Sequence, residues 1–211
     1  MTEYVDILKP PSFQKSGVKK PLNEAWRDED WLGTFNLWVI KNKPFPAIVY
    51  QIRSQKSAWA PGKLDVSAGG HYNAGETISD GLREVQEELG KEYKFEELKY
   101  LGRKMSISAD INENIRHNIV DIFMIIDNSP LVSYKLQKSE VQAICESPLA
   151  DLLKVHVQKS YKFTTEILDN TGHKSKITVN RDSFPIGWDN YHYKIALLTE
   201  RFLKGEKNLI Y

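Results

Sequence analysis

Three glutamates define the chemistry open to this chain: Glu84, Glu87 and Glu88, in the run Arg83-Glu84-Val85-Gln86-Glu87-Glu88-Leu89-Gly90. Like charges three or four residues apart destabilise a helix by roughly 0.2–0.5 kcal/mol per pair, so a purely structural helix would interleave lysine. Converging carboxylates suit a hard divalent cation, because Mg2+ or Mn2+ takes oxygen ligands and keeps bound water. A solvated acidic face is the other reading of the same pattern. The chemistry such a site supports is hydrolysis of a diphosphate: phosphoryl charge is neutralised, and a bound water is made acidic and held in line with the leaving group. Just upstream, Gly69-Gly70-His71-Tyr72-Asn73-Ala74-Gly75-Glu76 reads as a glycine loop. Its backbone can approach a ligand closely because Gly69 and Gly70 carry no Cβ. His71 either touches phosphate or metal, or is a polar loop residue.

Positioning these groups requires a short helix and the strand before it. Thr77 and Asp80 stand three apart, as in a helix cap with a third-residue carboxylate, and Gly90 supplies the stop. At 100° per residue, Ile78, Leu82, Val85 and Leu89 form one stripe, which predicts a packing face with Glu84, Glu87 and Glu88 opposite it. Alternating or β-branched runs predict strands over residues 4–8, 34–40, 47–53, 98–105, 118–126 and 141–145, with another entering the glycine loop. The run 118–126 is nearly continuous in apolar residues and should be central. Residues 148–154 predict a short helix, 161–167 and 174–179 a hairpin about Asp169-Asn170-Thr171-Gly172, and Trp188 to Phe202 an amphipathic helix ended by Gly205. Residues 12–30 are polar without an apolar period and predict an ordered arm at best.

Gly70, five residues, Glu76, and then Arg83-Glu84-Val85-Gln86-Glu87-Glu88-Leu89-Gly90 resemble the signature of the Nudix hydrolases, G-x5-E-x7-R-E-U-x-E-E-x-G-U. Seven specified residues at a background of about 7% each give a chance match of roughly one in 10⁸. Six residues separate Glu76 from Arg83 where the family has seven, and Lys91 stands where an aliphatic is usual. The shortening bears on the contact that the resemblance implies between Glu76 and Arg83. The resemblance, over about residues 30–155, implies an α/β fold: a Nudix-type α/β/α sandwich with a mixed sheet, here with an added C-terminal hairpin and helix. It implies a Mg2+ (or Mn2+) site at Glu84, Glu87 and Glu88, with Arg83 ordering the loop through Glu76. Trp59-Ala60-Pro61-Gly62-Lys63-Leu64-Asp65 and Val120-Asp121-Ile122-Phe123 are similar to the isopentenyl-diphosphate-isomerase-like branch. The isomerase cysteine is here Gly69, Leu32 to Trp38 holds no histidine, and Asn118 stands near where its late glutamate would fall, so hydrolysis is expected rather than alkene protonation. A catalytically silent nucleotide-binding module is the reading from another class.

For a general base outside the motif, Glu140 occupies a loop-to-strand junction that resembles those from which several Nudix enzymes supply a glutamate, a solvated loop carboxylate being the other reading, and Glu113 and Asp121 are weaker candidates. Trp31, Trp38, Tyr50 and Phe123 are read as core, and His117, His156, His173 and His192 as structural or surface. With 211 residues, 41% of them apolar, the chain should form a single domain. Its net charge of +1 argues for no nucleic-acid or anionic-membrane partner. A small-molecule diphosphate is the expected substrate, and the terminal helix could pair two copies as a homodimer. Lone Cys145 excludes an internal disulfide and reads as buried filler. Lys9 and two prolines stand where a signal core would lie, and no apolar run approaches about 20 residues, which gives the expectation of a cytoplasmic protein.

Overall fold

The structure, a computed structural model, describes residues 2–185, 187 and 189–211. Strand β3 (Trp31–Lys41) is its hub. One edge runs parallel to β8 (Ile115–Ile126) from Trp31↔His117 to Ile40↔Ile126. The other edge is shared antiparallel, in turn, by β1 (Tyr4–Lys9), β6 (Ala68–His71) and β4 (Ala47–Arg53). Beyond β4 come β9 (Val141–Pro148), β10 (Phe163–Asp169) and β11 (Lys174–Val179); β2 (Gln14–Pro21) flanks β1, β7 (Lys99–Ala109) flanks β8, and β5 (Leu64–Asp65) pairs with β4. The sheet is mixed, and β8 lies inside it, as its continuous apolar run requires.

Both faces of the sheet are buried, and β3 shows why. Phe35, Leu37 and Val39 point to one side and Trp38 and Ile40 to the other, the period-2 alternation of a strand with core on each face. Helix α2 (Leu82–Leu89) covers the first face with Val85 and Leu89. Helices α3 (Leu149–Val155) and α4 (Tyr191–Leu203) cover the second, through residues such as Leu152, Val155 and Ile195. This is the expected α/β sandwich with its added hairpin and helix. Of the predicted span of the last helix, Trp188 lies outside the described residues.

Two expectations are corrected. Residues 12–30 are more than an arm: β2 pairs along β1, and α1 (Leu22–Arg27) follows it. The stretch has no apolar period because β2 is an edge strand whose order comes from backbone pairing rather than burial. Gly69, Gly70 and His71 lie in β6, not in a loop, with Gly70 opposite Phe35 and Gly69 opposite Asn36. The loop proper begins at Tyr72, after pairing with β3 ends.

Candidate functional site

A cleft of about 800 Å³ opens where the second face of the sheet changes character. Along β8, Val120, Ile122 and Met124 belong to the core on that face, while Val120 with Asn118 and Arg116 lines the cleft. Along β3 the same alternation passes from Ile40 and Trp38 to Asn36 and Thr34. The face is thus apolar at one end and polar at the other, and that switch within one period was the sequence signal for Asn36, Arg116 and Asn118. Arg53 and Lys104 add positive charge to the cleft, and Glu3 and Trp26 reach it from the N-terminal segment.

The acidic wall comes from α2. Glu84 and Glu88 are buried, next to Val85 and Leu89, rather than set on the opposite side of the helix. Of the three glutamates only Glu87 is exposed; its side chain retains 47% of its accessible area. The i,i+4 geometry puts Glu84 and Glu88 along one line of the helix, and Glu87 is rotated towards Arg83. Both buried carboxylates meet the β6 glycines. The Gly69 amide donates to Glu88 Oε2 at 2.8 Å, and a Cβ on Gly70 would fall within the Glu84 carboxylate. Burial drives the Glu84 carboxyl up to about 7, partly opposed by Arg83, and drives Glu88 well above the usual carboxylate range despite the Gly69 amide. Glu140 lies close enough to raise both.

Arg83 ties loop to helix. Its Nε donates to Glu76 Oε1 at 3.0 Å, Nη1 to Glu87 Oε2 at 2.8 Å, and Nη2 to Glu84 Oε1 at 2.8 Å and the His71 carbonyl at 3.2 Å. The Glu76–Arg83 contact therefore forms despite the missing residue. The segment Ile78–Gly81 is a 3-10 turn, whose 3.0 residues per turn reach the helix with fewer residues than α geometry. Asp80 accepts from the Thr77 amide at 2.7 Å, and Gly90 closes α2 at φ 61°. Glu76 also accepts from the Asn73 amide at 2.7 Å. The Arg83 and Asn73 hydrogen bonds outweigh burial and hold its carboxyl below the usual range. The N-terminal hairpin clamps the same loop, with Asp6 accepting from the Gly75 amide at 2.8 Å and Lys15 donating to the Glu76 carbonyl at 2.6 Å.

His71 faces the cleft with Nε2 3.2 Å from Asn118 Oδ1, and the Trp26 ring meets it edge-on at 5.7 Å. Burial lowers its pKa to about 4, so it is neutral. Trp26 in turn carries the Arg116 guanidinium 3.8 Å above its ring. Glu140 is exposed at the head of β9 and lines the cleft; its carbonyl accepts from the Ser54 amide at 2.8 Å. Asp121 does not line the cleft, being held by Arg103 at 2.7 Å and by Tyr72 and Tyr100. Glu113 likewise lies outside it. His156 and His192, read from sequence as structural or surface, both line it; their distance in sequence gave no hint of this.

Among the described residues no three acidic or histidine side chains stand within reach of one ion, because Glu87 leans to Arg83. The donors nevertheless fit a hard cation. Two carboxylates raised first by burial, Glu84 further by Glu87 and Glu88 further by Glu84, with Glu140 adding to both, form a site of all-oxygen chemistry in which positive charge relieves repulsion. Turning Glu87 from a half-exposed ion pair costs little, since such pairs are worth about 0–1 kcal/mol.

No family model matches the chain. It is 31% identical over 202 residues to an uncharacterized Nudix hydrolase of Clostridium acetobutylicum, covering 92% of this chain and 95% of that protein. It is 33% identical over 147 residues to Nudix hydrolase 3 of Arabidopsis thaliana, covering 67% of this chain and 19% of the plant protein. Among solved structures, DR0079 from Deinococcus radiodurans superposes with a TM-score of 0.55 at 16% identity, over 72% of this chain and 86% of that one. A MutT/nudix family protein from Enterococcus faecalis gives 0.50 at 15% identity, over 87% and 70%. At such identities the likeness is one of fold.

Proposed function

Since this chain belongs to the Nudix hydrolases and is an enzyme of their pyrophosphohydrolase type, we propose that it cleaves a diphosphate linkage in a nucleoside diphosphate derivative or related small molecule, with Mg2+ or Mn2+ held by Glu84, Glu87 and Glu88. The observation that carries this reading is the pair of buried carboxylates against Gly69 and Gly70, in a cleft whose other walls bear Arg53, Lys104 and Arg116. Each of these cations is paired, Arg53 with Asp65, Lys104 with Asp189 and Arg116 with Asp110, so the phosphate chain of a bound substrate exchanges with those aspartates for charge-assisted hydrogen bonds while the cation bridges it to the α2 carboxylates. When bound, the cation supplies neutralising charge and an acidified water. The chain's own groups do the rest. Arg83 fixes the Glu76 loop and releases Glu87, the Gly69 amide orients Glu88, the backbone at Gly69 and Gly70 approaches the phosphates with His71 beside it, and the Glu140 carboxylate accepts the proton of the attacking water. The chain is read as one Nudix-type domain, a reading supported by a core under α4 that draws on β3, β4, β8 and the C-terminal segment together.

The test is release of phosphate or nucleoside monophosphate from a panel of nucleoside diphosphate derivatives with Mg2+ or Mn2+. Turnover of one or more is expected; binding without turnover across the panel overturns the assignment. Isopentenyl diphosphate should give no dimethylallyl product. Gly69 has neither thiol nor space for one, since a Cβ there would lie 2.6 Å from the Phe35 carbonyl and from Asn36 Oδ1. Product seen by chromatography at a useful rate would refute that argument.

A further inference from the structure

On the floor of the cleft, where β3 changes from core to polar, three side chains meet. Trp38 is fully buried, and its indole Nε1 donates to the Tyr191 hydroxyl at 2.9 Å. Asn36, two residues earlier on the same face, is half-buried, lines the cleft and places Nδ2 3.1 Å from the same hydroxyl. Tyr191, 8% exposed, is the first residue of α4. An indole nitrogen only donates, so Trp38 occupies one lone pair of the phenol oxygen. With Asn36 Nδ2 on the other, the hydroxyl hydrogen has no acceptor among the described residues, which is unfavourable for a buried group. Turning the Asn36 amide over removes the conflict, because its two ends are nearly equal in shape and Oδ1 then accepts from Tyr191. Trp38 then donates to Tyr191, Tyr191 donates to Asn36, and the amide NH2 is left at the end of the chain. That end lies against Gly69: a Cβ there would fall 2.6 Å from the outer atom of the amide, and the Gly69 backbone amide holds Glu88 at 2.8 Å. Asn36 makes no other side-chain hydrogen bond among the described residues.

We propose that Asn36 is a substrate-binding residue whose amide NH2, held in place by Tyr191 and Trp38, donates to a phosphoryl oxygen of the diphosphate beside Gly69. The proposal rests on the diphosphate-hydrolase reading and gives it a contact outside the glutamate motif. A donor end selects the chemistry of its ligand. It repels a metal cation, and an aliphatic chain leaves it unpaired, whereas a phosphoryl oxygen only accepts and satisfies it. Arg53, Lys104 and Arg116 must each leave an aspartate to meet the same oxygen, but the NH2 of Asn36 gives up no partner. Burial raises the Tyr191 pKa, so the hydroxyl keeps its hydrogen and continues to orient the amide. Hydrogen bonds that run in one direction also polarise each other, which strengthens the last donor of the chain. Tyr191 is therefore a positioning residue, acting on the substrate only through Asn36.

The experiment measures binding of methylenediphosphonate, a diphosphate mimic that is not hydrolysed, by calorimetry at saturating Mg2+. The proteins are the parent, Asn36→Ala, Asn36→Asp and Tyr191→Phe. Asn36→Ala should bind it about tenfold more weakly, the scale of one hydrogen bond to a charged group. Asn36→Asp keeps the shape and still accepts from Tyr191, yet it should bind more weakly than Asn36→Ala, because a negative oxygen stands where the donor was. An amide with a merely structural role gives the opposite order. Tyr191→Phe should weaken binding by a smaller factor and add nothing in the Asn36→Ala background. The rise in melting temperature with Mg2+ alone should be the same in Asn36→Ala as in the parent, which separates a contact to the anion from one to the metal. Parent-like binding in Asn36→Ala, or Asn36→Asp binding no worse than Asn36→Ala, overturns the assignment. If Asn36→Ala fails to fold in a melting scan, Asn36→Ser removes the same amide and takes its place in each comparison. Hydrolysis of nucleoside diphosphate derivatives together with parent-like binding in Asn36→Ala sinks this proposal and leaves the hydrolase reading. Binding of the diphosphonate that depends on Asn36, without turnover of any derivative, does the reverse.

Discussion

Glu87 and Glu88 are neighbours in sequence with opposite environments. Glu88 is buried and oriented by the Gly69 amide, whereas Glu87 is half exposed and paired to Arg83. If both ligate a cation, either loss of charge should be felt equally in the chemistry. Glu87→Gln and Glu88→Gln are each expected to lower kcat by at least ~100-fold at saturating Mg2+, the scale of one strong electrostatic contact in the transition state. The fold should persist, since glutamine at 88 keeps an oxygen for the Gly69 amide. Near-normal rates in both variants would remove the metal assignment.

At the scale of elements, the helix works only because what precedes it is tightly built. The 3-10 turn, α2 and β3 meet at Gly81, where a Cβ would overlap the Phe35 ring, itself fully buried. Gly81→Ala should therefore destabilise the protein by about 1–3 kcal/mol, as overpacking does, even though alanine is the better helix former. Urea unfolding measures this; a neutral or stabilising result would mean that the turn shifts freely. The N-terminal hairpin acts on the same loop from the other side through Asp6 and Lys15, so a segment that is polar and aperiodic in sequence helps to hold Glu76 in place.

Over the whole molecule, two linked equilibria are open to measurement. Only the native state presents Glu84, Glu87 and Glu88 together, so a cation at a hundred times its dissociation constant should stabilise folding by about 2.7 kcal/mol. For a chain of this length that is a rise of roughly 5–10 °C in melting temperature, lost on chelation. No shift with Mg2+ or Mn2+ would remove the metal role of Glu84, Glu87 and Glu88. The second equilibrium concerns His192, whose pKa burial lowers from 6.5 to about 4, with Asp65 and Asp189 favouring its protonation and Lys104 opposing it. The unfolded chain then binds more protons between those values, so this stability is complete above pH 6.5 and is lost as pH falls towards 4. By pH 5 the loss is about 2 kcal/mol. Acidification from pH 7.5 to 5 should cost the parent more than His192→Phe in urea titrations; equal losses would mean that His192 is not held neutral.

The sequence by itself determined the parts that are local. The motif from Gly70 to Gly90 carries its own periodicity, cap and stop, and short-range spacing suffices to predict a helix with an apolar stripe of Ile78, Leu82, Val85 and Leu89. The strands of the core were legible for the same reason, since alternation in β3 and the apolar run of β8 reflect burial directly. Tertiary structure decided what depends on contacts distant in sequence. Pairing with β3 makes Gly69 and Gly70 a strand rather than a loop, and packing against that strand buries Glu84 and Glu88 while leaving Glu87 outside. Pairing across β1 orders an edge strand whose side chains report nothing, because both its faces are largely in water. The meeting of His156 with His192 depends on how α3 and α4 dock on one sheet face, a relation between two surfaces that no local pattern encodes.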